Sequence, residues 1–122
     1  MANTFCHIEL TTGNLGAAKE FYGSLFDWKL DDMDMGDGSY TTIDTGEEPG
    51  GGMMTTPAPE VPTAWMVYVR VADVAAAAAR AEELGGQVHM GKTPIPGHGF
   101  FAMIADPTGG VIGVWEPEPD KE

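Results

Sequence analysis

Two side chains in one short stretch have the types and spacing for acid–base chemistry. In Phe5–Thr12, which reads Phe-Cys-His-Ile-Glu-Leu-Thr-Thr, His7 and Glu9 stand two residues apart. A strand's period of two carries both to one face with Thr11, and sends Cys6, Ile8 and Leu10 to the other. Histidine titrates near neutral pH and a partly buried carboxylate can be tuned towards it, so the pair could serve as general acid and base on one bound molecule. Two other readings of the pair stay open: a core histidine beside a solvated glutamate, and a histidine that ligates a metal. Cys6 alternates away from His7, which argues against a cysteine–histidine nucleophile.

The elements around this stretch follow from turn and cap signals. Gly13 and Asn14 end the strand, and Asn14 caps a helix over about 15–26 whose apolar residues Leu15, Ala18, Tyr22, Leu25 and Phe26 keep helical spacing. Strands are expected from Trp28, over 40–44 and over 53–56, with Gly36-Asp37-Gly38 as the hairpin turn between the first two. A proline-bearing linker at 58–63 leads into a strand over 65–71, a helix capped by Asp73 and ended by Gly85-Gly86, and strands over 87–90, 100–105 and 111–115. Residues 91–99, rich in glycine and proline, read as a loop, and Asp106-Pro107-Thr108-Gly109 as a turn.

The order of elements restarts at Ala64, and one offset of 59 residues relates the halves. His7 meets Met66, Ile8 meets Val67, Leu10 meets Val69, Asn14 meets Asp73, Leu25 meets Leu84 and Gly50 meets Gly109, without a gap. We read two copies of a β-α-β-β-β module, about 4–57 and 64–117, followed by an acidic tail at 118–122. The fold expected is α+β: the two modules place their sheets side by side as one curved mixed sheet around a cleft, within a single domain of 122 residues.

Composition narrows the partners. Nineteen acidic against six basic side chains give a net charge of -13, which repels phosphate backbones and anionic lipid, so neither nucleic acid nor membrane is expected. The excess suits a solvated surface, a salt-adapted source or a cationic ligand. One cysteine permits no internal disulfide, and no export signal or run of 18 apolar residues occurs, so the cytoplasm is the expected compartment.

His-Ile-Glu-Leu before a capped helix with Glu20-Phe21-Tyr22 and Leu25-Phe26-Asp27-Trp28, and Asp106-Pro107-Thr108-Gly109-Gly110 before the last strand, give the chain a resemblance over about 4–117 to a known family. It resembles the glyoxalase, bleomycin-resistance and extradiol-dioxygenase superfamily, also called vicinal oxygen chelate, and most closely its small glyoxalase-like proteins of uncertain reaction. The resemblance implies homodimers and, in metal-dependent members, ligands on the first and last strand of each module. Those positions here hold His7, Met54, Met66 and Gly113, of which only His7 suits a hard or borderline divalent ion. No metal or other cofactor is therefore expected. The cleft lining expected is His7, Glu9, Met54, Thr56, Met66, Tyr68 and Trp115, a small-molecule pocket with one imidazole and one carboxylate. Three functions are carried forward. The first is a glyoxalase-like protein that holds a small apolar or aromatic metabolite without the usual metal set. The second is a metal-dependent lyase, isomerase or dioxygenase using His7. The third is a resistance protein sequestering a cationic antibiotic.

Overall fold

A computed structural model describes residues 2–34, 39–56 and 62–118. Among the described residues, eight strands and two helices make an α+β fold of mixed strands in two compact units. The expected turn at 36–38, most of the linker and the end of the tail lie outside the described residues.

The unit His7–Met66 contains α1 (Leu15–Leu25), β2 (Lys29–Asp34), β3 (Ser39–Asp44), β4 (Gly51–Thr55) and most of β1 (Phe5–Thr12). Its strand order is β2-β3-β4-β1, antiparallel except for the parallel pair of β4 with β1. That parallel pair requires a crossover, which α1 helps to supply. The Asn14 side chain accepts from the Ala17 N–H at 3.0 Å and so starts α1. Leu10, Ile43 and Met53 form the buried core, with Leu15, Ala18, Tyr22, Trp28 and Leu30 packed on them. The helix side of the sheet also carries one polar tie. Asp32 accepts from the Lys19 ammonium at 2.8 Å and from the hydroxyl of fully buried Thr41 at 2.7 Å.

The second unit contains Val67–Glu122 together with residues 1–6. Its elements are β5 (Ala64–Arg70), α2 (Val74–Glu83), β6 (Gln87–Ile95), β7 (Gly99–Ala105) and β8 (Val111–Pro117), with strand order β5-β8-β7-β6 and β5 parallel to β8. Asp73 caps α2 through the Ala76 N–H at 3.1 Å, the counterpart of the Asn14 cap. Alanine favours this helix, and Gly85, at φ +97, ends it in the left-handed conformation that suits glycine. Val74, Ala102 and Val114 form the core.

Two expectations change. β6 continues through Gly91 and Pro94 to Ile95, where a loop was expected from 91. Its register shifts between Val88 and Met90 and again before Thr93, and it ends the strand order, so only one of its edges must supply ladder hydrogen bonds. An edge strand with irregular pairing tolerates proline and glycine that a central strand would not. The second change concerns the repeat. Glu9 pairs with Gly52 and Tyr68 pairs with Gly113, so β4 and β8 correspond at an offset of 61 rather than 59 (113 less 52). Gly52, not Met54, is therefore the counterpart of Gly113.

Met53→Ala should lower unfolding stability by about 2–5 kcal/mol in denaturant titrations, since Met53 is fully enclosed in the first core. Asp32 supplies a pH dependence. Its bond to Lys19, then that to Thr41, holds its carboxyl below the ordinary carboxylate range. A depressed carboxyl contributes stability above its unfolded pKa and loses it as pH falls through the folded value. The stability difference between wild type and Asp32→Asn should accordingly be present at neutral pH and shrink in acid.

Candidate functional site

Within the His7–Met66 unit the sheet has a face opposite α1, and β1 delivers His7 and Glu9 to it by alternation with buried Leu10. The register adds a third residue from β3. The Tyr40 hydroxyl lies 2.8 Å from His7 Nε2 and donates to Glu9 Oε1 at 2.9 Å. His7 Nε2 is itself 3.4 Å from Glu9 Oε1. A carboxylate can only accept, so the single phenolic proton goes to Glu9 and the phenol oxygen accepts from His7 Nε2–H. The hydrogen bonds thus run imidazole, phenol, carboxylate, a row along which a proton can pass. The Glu9 side chain is 13% exposed and the His7 side chain 33%, so the carboxylate is the more withdrawn end and the imidazole the more open one.

Gly52 makes this arrangement possible. It pairs with Glu9 on one side and Thr42 on the other, and a Cβ there would run into the Tyr40 hydroxyl and ring. Glycine lets the phenol lie against β4 and reach both partners. The other unit has a similar seat: a Cβ at Gly113 would run into the ring of buried Tyr68, which also meets Phe101 edge to face at 6.4 Å.

The remaining residues expected in the lining divide between the units. Met54, opposite Thr11, shares the face of His7 and Glu9 by alternation, and Thr56 lies just past β4 with its N–H donating to Thr12 O at 2.9 Å. In β5, Met66 precedes Tyr68 by two residues and takes the same side, and Trp115 pairs with Arg70 and Phe101 on the neighbouring strands. Tyr40 was not singled out from sequence. Its place beside β1 depends on the β3–β4 and β4–β1 registers together, and no local pattern contains that information.

Other titratable side chains stand apart from this cluster. Cys6 faces away, its thiol pushed up by burial and placed 3.7 Å from Tyr68 O. His89 and His98 are exposed in the second unit. Asp32 is engaged on the helix side, and Asp37 lies outside the described residues. A hollow of about 360 Å³ at 43–50 is lined by Ile43, Asp44, Gly46, Glu47, Glu48 and Gly50, whose charged groups are all carboxylates.

Against known proteins, the model of the Glyoxalase/Bleomycin resistance protein/Dioxygenase superfamily matches residues 4–114. The chain belongs to that superfamily. It is 36% identical over 114 residues to "Putative glyoxylase CFP32" of Mycobacterium tuberculosis (strain CDC 1551 / Oshkosh), a match covering 93% of this chain and 44% of that protein. Its identity to the anthracycline biosynthesis protein DauV of Streptomyces sp. (strain C5) is 32% over 127 residues, covering 88% of this chain and 44% of the relative. The chain thus spans less than half the length of these curated relatives. Among solved structures, a hypothetical protein, BH1468, of Bacillus halodurans C-125 superposes with TM-score 0.75 at 17% identity, covering 100% and 99% of the two chains. Methylmalonyl-CoA epimerase from Mycobacterium tuberculosis superposes with TM-score 0.70 at 16% identity, covering 95% of this chain and 89% of the other. At these identities the superpositions show a shared fold.

Metal-dependent members raise the question of a divalent ion. The positions in question hold His7, Gly52 or Met54, Met66 and Gly113, and His7 Nε2 and Glu9 Oε1 are both engaged by Tyr40. Among the described residues no three His, Cys, Asp or Glu side chains gather at one point. One imidazole and one carboxylate, both engaged by Tyr40, with soft thioethers and glycines at the other positions, do not fit an ion that takes three or more nitrogen or oxygen ligands.

The glycine seat has a measurable signature. Gly52→Ala should cost about 1–3 kcal/mol of unfolding stability through overpacking. In a Tyr40→Ala background, where no ring occupies the space, that cost should largely vanish in a double-mutant cycle.

Proposed function

We propose that this chain is a glyoxalase-like module that holds a small aromatic ketone or quinone, with the His7–Tyr40–Glu9 row as its polar anchor and without the usual metal set. The observation that carries the reading is the Tyr40 hydroxyl, placed 2.8 Å from His7 Nε2 and 2.9 Å from Glu9 Oε1 on the helix-free face. A carbonyl oxygen brought to this row would take the His7 Nε2–H in place of the Tyr40 oxygen, while the phenol keeps its proton on Glu9. The glycine seats support the reading, because they give space to phenol rings at strand positions where a metal donor would otherwise stand. Met54, on the face of His7 and Glu9, adds an apolar side chain of the kind that lines small-molecule pockets. A relative named for anthracycline biosynthesis suggests a polycyclic aromatic ligand. The metal-dependent alternative lacks a donor set among these residues.

Calorimetric titration with 1,8-dihydroxyanthraquinone tests the proposal. Saturable one-site binding in the micromolar range, about -8 kcal/mol, is expected, with no change on adding a chelator. His7→Ala and Tyr40→Phe should each weaken it about tenfold or more. No saturable binding, or equal binding by both variants, would count against the proposal. Binding that disappears with chelator and returns with a divalent ion would restore the metal-dependent reading.

A further inference from the structure

The strands of the second unit carry few charges for so acidic a chain. Against 19 acidic residues in the sequence, β5, β6, β7 and β8 hold one carboxylate, Glu116. Its side chain turns to the start of α2, where Oε1 accepts from the Val74 N–H at 3.0 Å. Lys92 is on the α2 side too, its ammonium 4.3 Å from the ring centroid of Phe100, which packs on the Val74 core. The side of these strands away from α2 is left with one fixed charge, the Arg70 guanidinium, two residues along β5 from Tyr68. Arg70 is exposed, and among the described residues no carboxylate pairs with it. Its charge reaches Cys6, whose thiol burial pushes up and Arg70 draws down.

Rings surround this cation. The registers set Arg70 beside Trp115 and Trp115 beside Phe101, in one row across β5, β8 and β7. Two glycines let rings lie against the sheet: the Tyr68 ring fills the space of a Cβ on Gly113, and Trp115 Cζ2 would stand 2.8 Å from a Cβ on Gly99. From Arg70 to Phe101 is two strand spacings, about 10 Å. The first unit supplies a control. Thr42 pairs with Gly52 as Met103 pairs with Gly113, an offset of 61 (103 less 42), so Phe101 and Trp115 stand where the first unit has Tyr40 and Met54. At the offset of 59, Tyr68 and Arg70 stand where it has Glu9 and Thr11. The second unit thus puts a ring in place of the carboxylate and a cation in place of a threonine.

We propose that the α2-free face of the second unit binds a planar aromatic carboxylate of two fused rings, its carboxylate on Arg70 and its rings on Trp115 and Phe101. This site is separate from the His7–Tyr40–Glu9 row and does not rest on the ligand reading given for it. Charge selects the occupant. A net charge of -13 repels anions from most of the surface, so an anion is held only where carboxylates are absent and a cation is at hand. A guanidinium presents a planar fork that meets a carboxylate through two parallel hydrogen bonds. Aromatic rings favour the faces and edges of other rings, and a two-ring acid spans the row from Arg70 to Phe101.

Calorimetric titration of the 122-residue chain with 2-naphthoate tests the proposal. Saturable one-site binding with Kd about 100 μM is expected. The uncharged isostere 2-naphthamide should bind at least tenfold more weakly. Arg70→Gln should lower naphthoate affinity at least tenfold while circular dichroism and melting stay as in wild type, because the side chain is exposed. Trp115→Leu is the second variant, and it should weaken naphthoate and naphthamide alike. His7→Ala should bind naphthoate as wild type does, so this site and the anthraquinone site stand or fall separately. No saturable binding, equal affinity for acid and amide, an Arg70→Gln variant that binds as wild type, or binding lost in His7→Ala would overturn the proposal.

Discussion

A phenol can bridge an imidazole and a carboxylate on a neighbouring strand only if nothing on the intervening strand stands in its way, and Gly52 meets that condition. Everything else about the site follows from this close approach. The parallel pairing of β1 with β4 sets Glu9 against Gly52, the antiparallel pairing of β3 with β4 brings Tyr40 across, and period-two alternation turns His7 to the same face. The core of Leu10, Ile43 and Met53 lies on the opposite side of the same three strands, so the packing that stabilises the unit also fixes the register of the site.

The repeat shows how one architecture was put to different uses. Both modules cap their helices with a short polar side chain, bury a small apolar core, and seat a tyrosine ring over a glycine of the last strand. They differ in what surrounds those shared parts. The first carries the imidazole–phenol–carboxylate row and an exposed aromatic helix side, and the second an alanine-rich helix and a face of aromatic and methionine residues. Divergence of this kind leaves the hydrogen-bonded framework alone and alters side chains on its two faces.

Much of this was legible in the sequence because the signals were local. Asn14 and Asp73 marked helix starts, Gly85 marked a helix end, and the alternation of Phe5–Thr12 placed His7 and Glu9 together. The pieces that were not legible depend on pairing between distant segments. Tyr40 joins the site through two registers that no window of sequence contains. The change of repeat offset from 59 to 61 at the last strand left no trace in the pattern, because a shift of two residues preserves which face each side chain takes. β6 ran past its expected end because Gly91 and Pro94 were weighed as breakers, whereas at a sheet edge they are tolerated.

Tyr40 donates to Glu9 and so leaves His7 to donate from Nε2. Long-range nitrogen–proton correlation spectra of the histidine rings test this directly at a pH where His7 is neutral. The Nε2–H tautomer is expected for His7 in the wild type, with a chemical shift that moves when Tyr40 is replaced by phenylalanine. A His7 ring found as the Nδ1–H tautomer, or one whose spectrum ignores Tyr40→Phe, would contradict it.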